Sequence, residues 1–212
     1  MKDERYSNKL PKLIQAVDEC KLTEFMTYQN LPVMISSIDS GFRLPPNLQS
    51  IRGLLCLALA DMWVNATVTD YIYVTAKKGW ATPDNLLNRS GWHCDGFGTD
   101  DINYIWSDGS PTRFVDQEFH DISDDHHESM RQFEEQIIPE SIVYAQPRTL
   151  YRLDFHVVHS TPVITKPELR SFIKISFSNS KYNLENNSHN YQFEYDWEMH
   201  PRDIDRNHTS RV

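Results

Sequence analysis

The sequence predicts an α+β domain, mainly β, whose sheet closes into a sandwich or barrel. Three observations predict it. Helical spacing of apolar residues is confined to the first third of the chain and one later segment. The middle and end are short runs rich in β-branched and aromatic residues. Those runs are split by Pro, Gly, Asn and Asp. The 212 residues, 39% hydrophobic and 12% aromatic, are enough to bury one substantial core, and two full domains would be cramped. Residues 1–212 therefore read as one domain: a mainly helical part over 1–66, a β core over 70–180 and a C-terminal extension over 181–212.

Each element has its own signal. Leu10, Leu13, Ile14, Val17 and Cys20 recur at three and four, which predicts a first helix. After the punctuation of "SGFRLPPN", Asn47 is placed to cap a second helix carrying Leu48, Ile51, Leu54, Leu55, Leu59 and Met62 on one face. Strands are predicted at "DYIYVTA", "INYIWSDGSPTRFV", "SIVYAQ", "TLYRLDF", "VVHSTPV" and "RSFIKISFS", and the Asp-Gly of "SDGS" predicts a tight hairpin. A short third helix, capped at Ser123, is expected to cover a sheet edge with Met130, Phe133 and Ile137. The polar tail after Tyr195 reads as a lid, a strap or a frayed end.

Bulk properties exclude some functions. A net charge of -9 argues against a surface that tracks phosphates, because nucleic-acid affinity rests on Lys and Arg displacing counterions. No apolar run approaches bilayer length, since Asp61 interrupts "GLLCLALADMW". Cys20, Cys56 and Cys94 are an odd, scattered set, and the polar start "MKDERYSNKLPK" is no signal peptide, so a cytoplasmic setting is expected. The oligomeric state stays open.

The chemistry centres on "SGWHCDGFG", where His93 and Asp95 stand two apart. On a strand both would point to one face. About one such pair is expected by chance in a chain of this composition, so a third ligand decides the matter. His159, in "FHVVHSTPV", supplies it 64 positions after Asp95. Two imidazoles and one carboxylate leave metal positions open, the arrangement suited to non-haem Fe(II) binding an organic chelator and O2. Eleven residues on, Arg170 opens "RSFIKISFS", where its planar fork can pair bidentately with a carboxylate.

The ordered parts "HCD", "VVHSTPV" and "ELRSFIKISFS" resemble the Fe(II)- and 2-oxoglutarate-dependent oxygenase superfamily over about residues 70 to 180. The resemblance implies a double-stranded β-helix (jelly-roll or cupin-like) core with N-terminal helices packed on one sheet. It makes His93, Asp95 and His159 the iron ligands and the catalytic centre, and Arg170 the anchor for the far carboxylate of 2-oxoglutarate. The implied reaction consumes 2-oxoglutarate and O2, releases succinate and CO2, and oxidises a C–H bond. With Asp95 present in the triad, hydroxylation or desaturation is favoured over halogenation. Phe172 stands where many members carry a serine, and Ser176 where the nucleic-acid demethylases carry a second arginine.

Around this centre, Lys174 shares the face of Arg170 and either supplies charge or sits at a solvated strand end. Tyr73 and Tyr104 are candidate hydroxyl donors to the co-substrate, with half-buried sheet aromatics as the alternative. Trp92, Phe97 and Trp106 either wall the substrate cavity or fill core. His156 falls on the opposite face from His159, and Cys94 should point away from the metal. His126, His127 and Glu128 fit a solvated helix face. A polar stretch from Asn85 to Ser90 is a candidate gating loop. The expected substrate is a small molecule, such as an amino acid or natural-product intermediate. The competing classes are a cupin-like metal-binding protein without oxidative activity (isomerase, hydrolase or binding module), a protein-side-chain hydroxylase, and a purely structural protein.

Overall fold

The computed structural model describes residues 1–36, 41–65 and 67–201. Nine strands form two antiparallel sheets among these residues: β1 (Lys12–Ala16), β2 (Met26–Ile35), β3 (Tyr71–Ala81), β4 (Ile102–Ser107), β5 (Arg113–Val115), β6 (Ile142–Tyr144), β7 (Thr149–Leu153), β8 (His159–Ser160) and β9 (Glu168–Ser178). The larger sheet runs β1-β7-β4-β9-β3-β2 and the smaller β6-β5-β8. Two α-helices complete the fold, α1 (Arg52–Val64) and α2 (His126–Gln136). The chain is thus α+β and mainly β. No described helix is long and apolar enough to cross a membrane.

Strict alternation along the central strands divides the large sheet into two unlike faces. Ile72, Val74 and Ala76 on β3, Tyr104 and Trp106 on β4, and Ile173, Ile175 and Phe177 on β9 pack with Leu54, Leu55, Ala58 and Met62 of α1. The opposite face of the same strands carries Thr75 and Lys77, Ile105, and Phe172 and Lys174, and these look into a cavity that His159 of the small sheet also lines. Ile105, Phe172, Tyr151 and Leu153 meet Phe114 of β5 in a separate apolar cluster joining the two sheets. A third cluster places Phe133 of α2 against Tyr6, Trp92, Cys94 and Phe119.

The structure corrects several expectations. The segment from Leu10 to Cys20 is no helix: Lys12–Ala16 pairs with the edge of β7, leaving Leu13 52% exposed. Its apolar spacing also suits an edge strand, and the unpaired groups of β7 decide the outcome. Strand β2 is not anticipated by the sequence pattern, so the described part of residues 1–66 is not mainly helical. The second helix forms, but a 3-10 turn (Pro46–Ile51) leads into it. Asn47 makes no cap; its Oδ1 accepts the Tyr28 hydroxyl at 3.2 Å. "SDGS" is no hairpin either, because β4 and β5 belong to different sheets. The third helix is capped by Asp125, which accepts from the Glu128 N–H at 2.9 Å, rather than by Ser123. The tail is tied down as far as His200, whose N–H reaches the Asn183 carbonyl at 2.9 Å; its part from 202 onward lies outside the described residues.

Candidate metal centre

His93 lies on no regular strand. It forms an isolated bridge to His159 at the start of β8, each donating its N–H to the other's carbonyl at 2.9 Å. This reciprocal pair brings two residues 66 positions apart side by side, with ring centroids 4.6 Å apart. Each ring is then oriented by its own chain: Nδ1 of His93 faces the Gly91 carbonyl and Nδ1 of His159 the Val157 carbonyl, both at 3.0 Å. A carbonyl only accepts, so each Nδ1 carries a proton, which leaves each Nε2 as the ring nitrogen available to a metal.

Asp95 reaches the same point by a turn rather than by strand alternation. Gly96 at φ +72° and Gly98 at φ +76° follow it, in the left-handed region that glycine tolerates. A Cβ on Gly96 would sit 2.9 Å from the Cβ of Asp101, so the turn is packed against that residue. Asp101 is held in turn by the Tyr182 hydroxyl, which donates to its Oδ2 at 2.5 Å. One ligand atom from each of His93, Asp95 and His159 lies within 4.8 Å of the others. The donor set, two imidazoles and a carboxylate around one point, fits a divalent transition metal.

Burial, reinforced by neighbouring His159, pushes the His93 imidazole down to about 3, so it is neutral near pH 7. Burial opposes ionisation of Asp95, but the Lys174 ammonium, foremost among its neighbours, outweighs it and holds the carboxyl well below its usual range. The two carboxylate oxygens divide their partners: Oδ1 faces Lys174 Nζ at 3.2 Å and Oδ2 faces His159 Nε2 at 3.6 Å. Lys174 is therefore no solvated strand end.

The triad opens on a cavity of about 470 Å³ between the two sheets, within the roughly 300–1,000 Å³ typical of small-molecule sites. Its wall includes Ile105, Phe172, Lys174 and Lys77 from the large sheet, Thr112, Ser160 and Thr161 beside the small sheet, and Leu87, Asn88 and Arg89 from the stretch read as a candidate gating loop. Arg170 is fully buried just behind this wall, its Cζ 5.3 Å from the centroid of the Phe172 ring. Its Nε donates to the Ser110 carbonyl at 3.0 Å, while Nη1 and Nη2 have no hydrogen-bond partner among the described residues. Burial lowers its pKa to about 10 despite Glu168 and Asp108 nearby.

Other expected site residues lie elsewhere. Tyr104 is on the α1 face, donating to Asp61 Oδ2 at 2.7 Å, and Trp106 shares that face with its Nε1 on the Val17 carbonyl at 3.0 Å. The alternation of β4, with Ile105 on the cavity side, turns both away from the triad. Tyr73 is on the cavity face, but its hydroxyl donates to the Ser180 carbonyl at 2.9 Å and its ring stacks on Tyr182. Trp92 and Phe97 pack in and against the α2 cluster, Trp92 beneath the Arg113 guanidinium. None of these five residues lines the cavity. Cys94 points into the α2 cluster, away from the triad.

Sequence reading misses Lys77, Gln29, Asn186 and the three threonines of the wall, Thr75, Thr112 and Thr161. For Lys77 the signal is present, because alternation in "YIYVTAKK" puts it with Tyr73 and Thr75. Gln29 and Asn186 come from an unanticipated strand and an irregular segment, and no pattern marks them.

No protein-family model matches the chain, and no curated protein matches it. Solved structures that resemble it include EvdO2 from Micromonospora carbonacea var. aurantiaca (16% identity, TM-score 0.35, 63% of this chain and 60% of that one). The same protein complexed with 2-oxoglutarate gives 18% identity and TM-score 0.33 over the same shares. A bsmA homolog from Methylobium petroleophilum PM1 gives 19% identity, TM-score 0.34, and 74% of this chain against 64% of that one. The chain thus spans less than two thirds of these structures. Superpositions this loose carry no argument about chemistry, which has to come from the residues themselves.

Proposed function

We propose that this chain is an Fe(II)- and 2-oxoglutarate-dependent oxygenase of a small molecule, its two sheets forming the halves of a double-stranded β-helix and residues 1–212 a single domain. The observation that carries the reading is the convergence of His93, Asp95 and His159 on one cavity, with the fully buried Arg170 beside it holding two Nη groups that have no hydrogen-bond partner among the described residues. Buried Nη groups without an acceptor are costly, and a bidentate carboxylate satisfies both at once. When bound, iron supplies activation of O2 coupled to decarboxylation of 2-oxoglutarate, with succinate, CO2 and an oxidised, most simply hydroxylated, C–H bond as products.

The chain's own residues do the positioning. His93 and His159 present Nε2, and Asp95 supplies the negative charge, one oxygen steadied by Lys174. Arg170 grips the far carboxylate of 2-oxoglutarate once the Phe172 ring moves off its guanidinium. Ile105, Leu87 and Phe172 keep the cavity wall apolar where water must be excluded.

Anaerobic addition of Fe(II) and 2-oxoglutarate is expected to give a weak visible charge-transfer band, absent in Asp95→Ala and His159→Ala. Arg170→Met is expected to weaken 2-oxoglutarate about 10- to 150-fold, the loss of one charge-assisted contact. A colourless protein with full iron occupancy, or tight zinc retention without succinate release under air, would favour the non-oxidative cupin-like class.

A further inference from the structure

The wall of the cavity is cationic in a chain whose net charge is -9. Among the described residues Lys77, Lys174 and Arg89 line it, against one carboxylate, Asp95. Lys174 is engaged with that carboxylate at 3.2 Å. Lys77 is not: its Nζ donates to the Leu87 carbonyl at 2.9 Å, and among the described residues no carboxylate lies within ion-pairing distance of it. Register sets it opposite Phe172 on β9, between Lys174 and Arg170 along that strand. A half-buried ammonium beside two further cations is repelled by its surroundings and is stabilised by an anion brought into the cavity. Gln29 and Asn186, whose side chains carry amide donors, line the same wall.

The position of Lys77 separates its ligand from the co-substrate's. Arg170 turns toward Ser110, in the connection between β4 and β5, whereas Lys77 turns toward Leu87, in the connection between β3 and β4. With 2-oxoglutarate engaged by iron and Arg170, the charge on Lys77 is left over. We infer that Lys77 receives a carboxylate carried by the primary substrate, so that the enzyme acts on a small organic acid. This inference rests on the oxygenase reading of the same cavity.

The test is calorimetric titration of small carboxylic acids, N-acetyl amino acids among them, each paired with its primary amide. They are added to the Fe(II) protein held anaerobically with saturating 2-oxoglutarate, and separately to metal-free protein. In the wild-type protein the preferred acid is expected to bind at least about tenfold tighter than its amide, the scale of one charge-assisted contact. Lys77→Met is expected to erase that preference while leaving 2-oxoglutarate affinity nearly unchanged, and Arg170→Met to do the reverse. Equal binding of acids and amides by the wild type would overturn the inference. So would a Lys77→Met variant that loses 2-oxoglutarate as Arg170→Met does. Failure of 2-oxoglutarate to bind the wild type at all would instead sink the oxygenase reading, and the acid-amide comparison on metal-free protein would still decide the role of Lys77.

Discussion

Lys77→Met should stabilise the ligand-free protein, although it removes a hydrogen bond. Burial, with Lys174 and Arg170 nearby, lowers the Lys77 ammonium from 10.5 to about 8. At about 1.36 kcal/mol per pH unit, that drop amounts to about 3 kcal/mol against the folded state at neutral pH. Loss of the Nζ contact to the Leu87 carbonyl returns about 1 kcal/mol, so the net gain is about 2 kcal/mol. For a chain of this size the midpoint of thermal unfolding should rise by about 4 to 8 °C. The sign with pH is fixed. Below pH 8 both folded and unfolded wild type hold the proton and the penalty is constant. Between 8 and 10.5 the unfolded chain holds a proton the folded one has lost, so wild-type stability climbs with pH. Denaturant unfolding of both proteins across this range should show the variant's advantage at pH 7 shrinking below about 1 kcal/mol by about pH 9.5. A variant no more stable at pH 7, or a gap that stays constant with pH, would refute the account of Lys77 as a buried, uncompensated charge.

The geometry sets three further outcomes. Asp61 of α1 accepts from Lys12 Nζ and Tyr104 at 2.7 Å and from Arg152 at 3.1 Å, so Asp61→Ala should cost about 2–3 kcal/mol in denaturant unfolding. Burial opposes its ionisation, but these partners hold its pKa below the ordinary value, so the gap to wild type should narrow as pH falls below about 4. Gly96→Ala forces a side chain into the left-handed region against Asp101, costing about 1–2 kcal/mol of strain and, by shifting the Asp95 turn, weakening metal binding in a calorimetric titration. Phe133→Ala empties a fully buried position edged by Tyr6 and Phe119, each 5.1 Å away, and should lose about 3–5 kcal/mol with early melting of α2 by circular dichroism.

Periodicity alone determined a good deal about this protein. The apolar period from Leu48 to Met62 marks a helical segment, realised as a 3-10 turn to Ile51 and α1 beyond it, and "YIYVTA" and "RSFIKISFS" alternate so regularly that burial of one face follows from the pattern. The order His93, Asp95, His159 was legible because ligand chemistry restricts the residue types, whatever their distance along the chain. Which segments pair was not legible. Leu10 to Cys20 satisfied a helical period and became a strand, because the edge of β7 offered hydrogen bonds that no local count contains. Asp95 joins the triad through a glycine turn braced by Asp101 and Tyr182, not through strand alternation. The cavity's charge was equally hidden: Lys77 and Lys174 lie 97 positions apart, and only the β3–β9 register makes them neighbours. Local patterns report which face a residue prefers; only long-range pairing and the closing of one sheet over the other decide what each face meets.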